Sequence, residues 1–268
     1  MSVHDDKKLE NSNNANNNRT AVKGGISPCE YPGVICCGDI DKKYDKDKIS
    51  PIPTFGHIRK GETPSGYYSA AGCGSPVTAA DLRPGETVLD LGSGTGCDCF
   101  QAAELVGPSG HVIGVEIAPD MLKLARRRIS ASPVNVEFRF GELARLPITG
   151  GSIDAVLSNY AINLAPDKRR VFSEVFRVLK PGGRLNMFDI VAVSPLPEEI
   201  LTDLEAYVGC IAGAIMIDEL MDILRDVGFR EIAVHPQCDC REFINGWMPD
   251  RDVDKFVVPA AVTAVKSP

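Results

Sequence analysis

From about residue 77 the chain alternates short apolar runs with segments of helical spacing, which is the pattern of a parallel sheet covered by helices. "TVLDL" (87–91), "HVIGVEI" (111–117), "NVEFRF" (135–140), "IDAVLSNY" (153–160) and "RLNMFDIV" (184–191) predict five strands. Between them "FQAAELV", "PDMLKLARRRI" and "KRRVFSEVFRVLK" predict helices, with Pro119 suited to a first helical turn. "KPGG" (180–183) is expected to end the last of these helices and turn into strand five. After Ser194, "PEEILTDLEAYVGCI" and "IDELMDILRDVGF" read as two more helices, and "EIAVHP" and "KFVVPAAVTAV" as two more strands. The expected fold class is α/β: a doubly wound, Rossmann-like sheet over 77–193, and a C-terminal α+β extension over 194–268 that continues the sheet and packs helices near its ligand edge. Residues 1–28 are Asn-rich with nothing to bury, which predicts a disordered tail. Residues 29–76, rich in Gly, Pro, Tyr and Cys but weak in period, predict a loop-built lobe.

Composition narrows the class of function. With 44% apolar and 24% charged residues in 268, the chain can bury an ordinary core. Its net charge of −7 leaves no basic footprint, so nucleic acid and anionic membrane surfaces are disfavoured as partners and small-molecule chemistry is favoured. No apolar run reaches the length of a membrane span, and "MSVHDDKKLENSNNANNNRT" is polar where a secretory signal has an apolar core. These features predict a cytoplasmic protein. Nine cysteines at irregular spacing do not form a disulfide framework and are expected to be free thiols.

"VLDLGSGTGCDCF" (88–100) sets Gly92, Gly94 and Gly96 between the first strand and the first helix, where a backbone without side chains lets a ligand approach. The spacing is G-x-G-x-G, whereas a nicotinamide-dinucleotide loop reads G-x-G-x-x-G. Glu116 ends strand two, placed to accept hydrogen bonds from both hydroxyls of a ribose. The combination resembles the class I S-adenosylmethionine-dependent methyltransferases. That resemblance implies that Asp90 and the glycines line the methionine end of the cofactor, Glu116 the ribose, and Glu142 and Leu143 of "GEL" (141–143) the adenine, with Ser93, Ile117 and Asn159 completing the set.

The likeness sharpens around the cysteines. Cys36 and Cys37 are adjacent in "VICCGDI", and neighbouring cysteines make a poor crosslink, because a ring closed across one peptide bond hardly reaches disulfide geometry. A soft partner other than sulfur is the alternative. "ICCG" (35–38), "GCGSP" (72–76), "SNYAINLAPDKRRVF" (158–172), "YVGCIAGA" (207–214) and "CREFINGWMP" (240–249) together resemble the arsenite methyltransferases, from about residue 34 to the C-terminus. The resemblance implies that trivalent arsenic, held by the thiolates of Cys36, Cys37, Cys73 and Cys210, attacks the cofactor's methyl with its own lone pair, so that no general base is required. It implies arsenic detoxification as the role, Cys73 and Cys210 as the central thiols, and a thiol reductant, glutathione or thioredoxin, as co-substrate. The other cysteines read as small apolar residues, Cys97, Cys99 and Cys29 in the core, Cys238 and Cys240 at its edge or exposed. His57, His111 and His235 read as surface or packing residues and Trp247 as a packing anchor.

One departure bears on the chemistry. Where the family reads Ser-Asn-Cys at the end of strand four, this chain has Tyr160, whose phenol is not a soft ligand. Two readings follow: an enzyme methylating arsenite or an already methylated arsenical, or a cofactor-binding regulatory subunit whose partner is a homologous, cysteine-complete methyltransferase.

Overall fold

The apolar runs pair into one seven-stranded sheet, β1 (Thr87–Leu91), β2 (His111–Glu116), β3 (Val136–Phe140), β4 (Ile153–Asn159), β5 (Leu179–Ala192), β6 (Phe229–Pro236) and β7 (Val257–Lys266), in the order β3-β2-β1-β4-β5-β7-β6. The computed structural model describes residues 75–129, 135–237, 244, 248 and 251–267. The tail over 1–28 and nearly all of the lobe over 29–76 lie outside them. β1 to β5 are parallel, and β7 runs antiparallel to both β5 and β6. The α/β class and the continuation of the sheet past Ser194 are both borne out.

Among the described residues the strands are accompanied by α1 (Pro76–Ala79), α2 (Cys97–Val106), α3 (Pro119–Ile129), α4 (Lys168–Val178), α5 (Glu198–Leu201), α6 (Leu204–Val208) and α7 (Ile217–Val227). Pro119 opens α3, as its fixed φ and missing N–H favour. Alternate strand residues pack on opposite sides. Leu89, Leu91, Ile113 and Val156 join Val171, Phe172 and Leu224 of α4 and α7, while Val88, Val112, Ala155 and Leu157 join Ala102 and Leu122 of α2 and α3. A third apolar cluster, with Tyr160, Phe188, Ile190, Cys210, Ile211 and Val257, lies under α5 and α6.

Two local readings are corrected. "PEEILTDLEAYVGCI" is not one helix but α5 and α6, because the Asp203 carboxylate caps the second by accepting from the backbone N–H of Ala206 at 2.9 Å. "KPGG" does not precede strand five but lies inside it: Gly182 takes φ 76°, and the register against β4 shifts between Ile153 and Ala155, the signature of a bulge. No helix among the described residues is long and apolar enough to cross a membrane.

Candidate cofactor and thiol site

The carboxyl edge of a parallel sheet gathers the ends of several strands, and here β1, β2 and β4 build one pocket. Asp90, the fourth residue of β1, is buried, and its carboxylate accepts from the Cys99 thiol at 3.1 Å. Past β1 the backbone turns through Gly92, Gly94 and Gly96, all left-handed at φ 67°, 52° and 85°, a conformation that only glycine adopts without strain. Packing adds a second demand at two of them. A Cβ on Gly92 would stand 2.4 Å from the Cβ of Ala161, and one on Gly96 would stand 2.3 Å from the Phe138 ring.

Glu116, the last residue of β2, holds this turn in place. Its Oε2 accepts from the N–H of Gly94 at 2.9 Å and its Oε1 from that of Ala118 at 2.7 Å. Each oxygen keeps a further lone pair with which to receive a ligand hydroxyl. Ile117 beside it is 56% exposed. Gly141 N–H binds the Glu116 carbonyl at 3.2 Å, bringing the turn after β3 to the same edge. In that turn the backbones of Glu142 and Arg145 bridge each other, and Leu143 leans on the main core.

Asp98, in the first turn of α2, completes a group of carboxylates and accepts from Asn159 Nδ2 at 3.0 Å. Burial and the adjacent Asp98 push the Asp90 carboxyl well above the usual carboxylate range, and burial pushes that of Asp98 up as well. Among the described residues none of Asp90, Asp98 and Glu116 forms an ion pair. Ser93 Oγ and Asn159 Oδ1 are buried and have no hydrogen-bond partner among the described residues. Crowded carboxyl groups whose ionisation is disfavoured by burial and by one another fit a ligand that brings positive charge and hydrogen-bonding groups of its own.

The end of β4 joins this pocket to a thiol through three consecutive residues. Asn159 holds Asp98, Ala161 covers Gly92, and between them the carbonyl of Tyr160 accepts from Cys210 Sγ at 3.1 Å. Both partners of that last bond are left-handed, Tyr160 at φ 50° and Cys210 at φ 62°. Burial, with the nearby Asp189 adding to it, pushes the Cys210 thiol up. The Tyr160 ring packs edge-on against Phe188, centroids 5.6 Å apart. Of the four sulfurs expected to hold arsenic, Cys210 is described, while Cys36, Cys37 and Cys73 lie outside the described residues, as do Cys29, Cys238, Cys240, His57 and Trp247. Among the described residues no three His, Cys, Asp or Glu side chains are arranged to hold a metal ion.

Sequence reasoning missed Asp98 and a buried polar group behind Cys210. Asp98 had a signal, a carboxylate in the helical turn that follows the glycines. Asp189 is an acid inside the apolar run "NMFDIV", fully buried, with Oδ2 accepting from Asn163 N–H and Oδ1 from that of Ile190. Cys99 is buried as expected, Cys97 is half-buried, and His111 pairs with Glu137.

Residues 82–228 match the family described as "Methyltransferase domain". The arsenite methyltransferase of Halobacterium salinarum is 40% identical over 92% of this chain and 66% of its own length, and that of Mus musculus 35% identical over 68% of this chain and 51% of its own. The chain thus spans between half and two thirds of these relatives. Among solved structures, an arsenic(III) S-adenosylmethionine methyltransferase from Chlamydomonas reinhardtii superposes with a TM-score of 0.55 at 30% identity, covering 70% of this chain and 65% of that one. Phosphoethanolamine N-methyltransferase 2 of Haemonchus contortus shares the fold, with a TM-score of 0.61 at 21% identity over 72% of this chain and 52% of its own. With the glycine turn, the acid ending β2 and the strand order all in place, the chain belongs to the methyltransferase-domain family and, by sequence, stands with the arsenite methyltransferases.

Proposed function

We propose that the chain binds S-adenosylmethionine on the glycine turn and methylates trivalent arsenic held in part by Cys210. The observation that carries this is the continuity of residues 159–161, which tie the acid-lined pocket to the thiol. In this assignment Asp90 and Asp98 face the positively charged end of the cofactor, Glu116 its ribose, and Glu142 and Leu143 its adenine. S-adenosylmethionine supplies a methyl on a cationic sulfur, to which a soft lone pair held in line is a sufficient nucleophile.

A thiol with a raised pKa is no obstacle to capturing arsenic. Cys210 Sγ–H exchanges with an arsenic-bound hydroxyl: the sulfur–arsenic bond forms, the arsenic–oxygen bond breaks, and water leaves with the thiol hydrogen. The buried apolar surroundings of Cys210 favour this neutral exchange over separated charge. Cys36, Cys37 and Cys73 are the sulfurs proposed to complete the site, and glutathione or thioredoxin the reductant that keeps arsenic trivalent.

Purified protein with S-adenosylmethionine, arsenite and a thiol reductant is expected to give methylated arsenic, and Cys210→Ser to lose arsenite binding while keeping cofactor affinity. Undiminished arsenite binding by the serine variant would remove Cys210 from the site. Tyr160, packed where the family has a cysteine, favours a second reading in which a cysteine-complete homologue carries the chemistry. Cofactor binding with no product, restored on adding such a homologue, would select it.

A further inference from the structure

Cys210 is held at both ends by hydrogen bonds. Its thiol is tied to the carbonyl of Tyr160, and its own carbonyl accepts from Asn163 Nδ2 at 3.0 Å. The same Asn163 amide donates to the carbonyl of Ile190 at 2.6 Å, and the Asn163 backbone N–H donates to Asp189 Oδ2 at 3.2 Å. Asn163 is itself buried, in the 3₁₀ turn Ile162–Leu164 that follows β4. The segment after Cys210 wraps so closely around it that a Cβ on Gly213 would stand 2.0 Å from the Asn163 carbonyl oxygen. Cys210 meanwhile keeps a left-handed backbone at φ 62°, which a non-glycine residue holds only when its surroundings over-determine it.

We infer that Asn163 is the positioning residue of the Cys210 thiol: its side-chain amide bridges β5 and the turn after α6, and so fixes the direction in which the sulfur meets a thiophilic substrate. The inference rests on the proposed role of Cys210. It concerns aim rather than chemistry, since Asn163 touches neither the sulfur nor the glycine turn in any hydrogen bond described. Both carbonyls it serves are buried acceptors, and only a side chain with two donors on one nitrogen satisfies them together.

Asn163→Asp tests this without opening a cavity, because it keeps the volume and replaces the two donors by an acceptor facing two carbonyls. Two quantities are read. The first is the alkylation rate of Cys210 by iodoacetamide, mapped by mass spectrometry against that of Cys99, an equally buried thiol on α2. The second is the affinity for arsenite beside the affinity for S-adenosylmethionine. The expected result is faster alkylation of Cys210 with that of Cys99 unchanged, a loss of arsenite affinity, and an unchanged cofactor affinity. Equal acceleration at both thiols, or at neither, overturns the inference, as does loss of folded structure in both Asn163→Asp and Asn163→Ala, which would make Asn163 a residue of the fold alone. Failure of the underlying function is told apart by Cys210→Ser: if that variant binds arsenite like the parent while Asn163→Asp still frees the thiol, the proposed role of Cys210 falls and the positioning stands.

Discussion

Tyr160 occupies the point where cofactor pocket and thiol meet, so a single side chain there decides how many soft ligands the site can offer. Replacing it with cysteine is expected to raise methylation, measured by arsenic speciation after timed incubation, because a sulfur then stands next to Cys210. A parent already as fast would mean that thiols from residues before 75 complete the site. The change also removes a ring from the cluster with Phe188 and Cys210, at a cost of about 3 kcal/mol in a denaturant melt. Asp189, behind the same cluster, makes a second prediction. Burial raises its pKa from 3.8 to about 7, against the opposing pull of backbone N–H groups and Lys168. The folded protein therefore binds a proton here that the unfolded chain releases, so this group's stabilisation is full below pH 3.8 and is lost as pH rises to about 7. Subtracting the stability profile of Asp189→Asn from that of the parent should leave this fall, and a flat difference would refute it. Tyr160, Cys210 and Lys168 are the other titratable groups coupled to it.

Among the elements, the turn between β1 and α2 carries the sharpest demand. Gly92→Ala puts a Cβ into Ala161 at a left-handed residue, and should cost about 1–3 kcal/mol while weakening cofactor binding, since it displaces the end of β4. Gly151→Ala is the control. It is left-handed too, at φ 65°, but its Cβ would meet nothing within 4 Å, so calorimetry should find cofactor affinity unchanged. The glycines, the acid ending β2 and the strands themselves were readable from residue type and period. The split of α5 from α6 was not, because helical spacing continues across Thr202 and only the side chain of Asp203, turned back on Ala206, ends the run. The bulge in β5 was hidden likewise: "KPGG" reads as a turn until β4 supplies a partner on both sides of it.

For the molecule as a whole, Arg184 fastens β5 to the chain ahead of β1. Its guanidinium binds both carboxylate oxygens of Glu86 at 2.8 Å and the carbonyls of Ala80 and Asp81 at 2.6 and 2.9 Å. Arg184→Met should lower unfolding free energy by about 2–4 kcal/mol, because it strands a half-buried carboxylate and two carbonyls. Equilibrium denaturation checks this, and a loss under about 0.5 kcal/mol, the size of an ordinary surface change, would refute it. The pairing of residues 184 and 86 has no trace in local pattern, and neither has the meeting of Asp98 with Asn159 or of Cys210 with Tyr160. The order of apolar runs, glycines and acids along the chain was enough to determine the α/β class, the parallel sheet and the edge where a ligand binds, since hydrophobic period and glycine conformation are properties of neighbouring residues. Only the tertiary structure decided that three carboxyl groups share one pocket, that Asn163 grips the carbonyl of Cys210, and that the thiol is buried. Charge, burial and aim depend on residues 26 to 61 positions apart, which only the crossing of β1, β4 and β5 brings together.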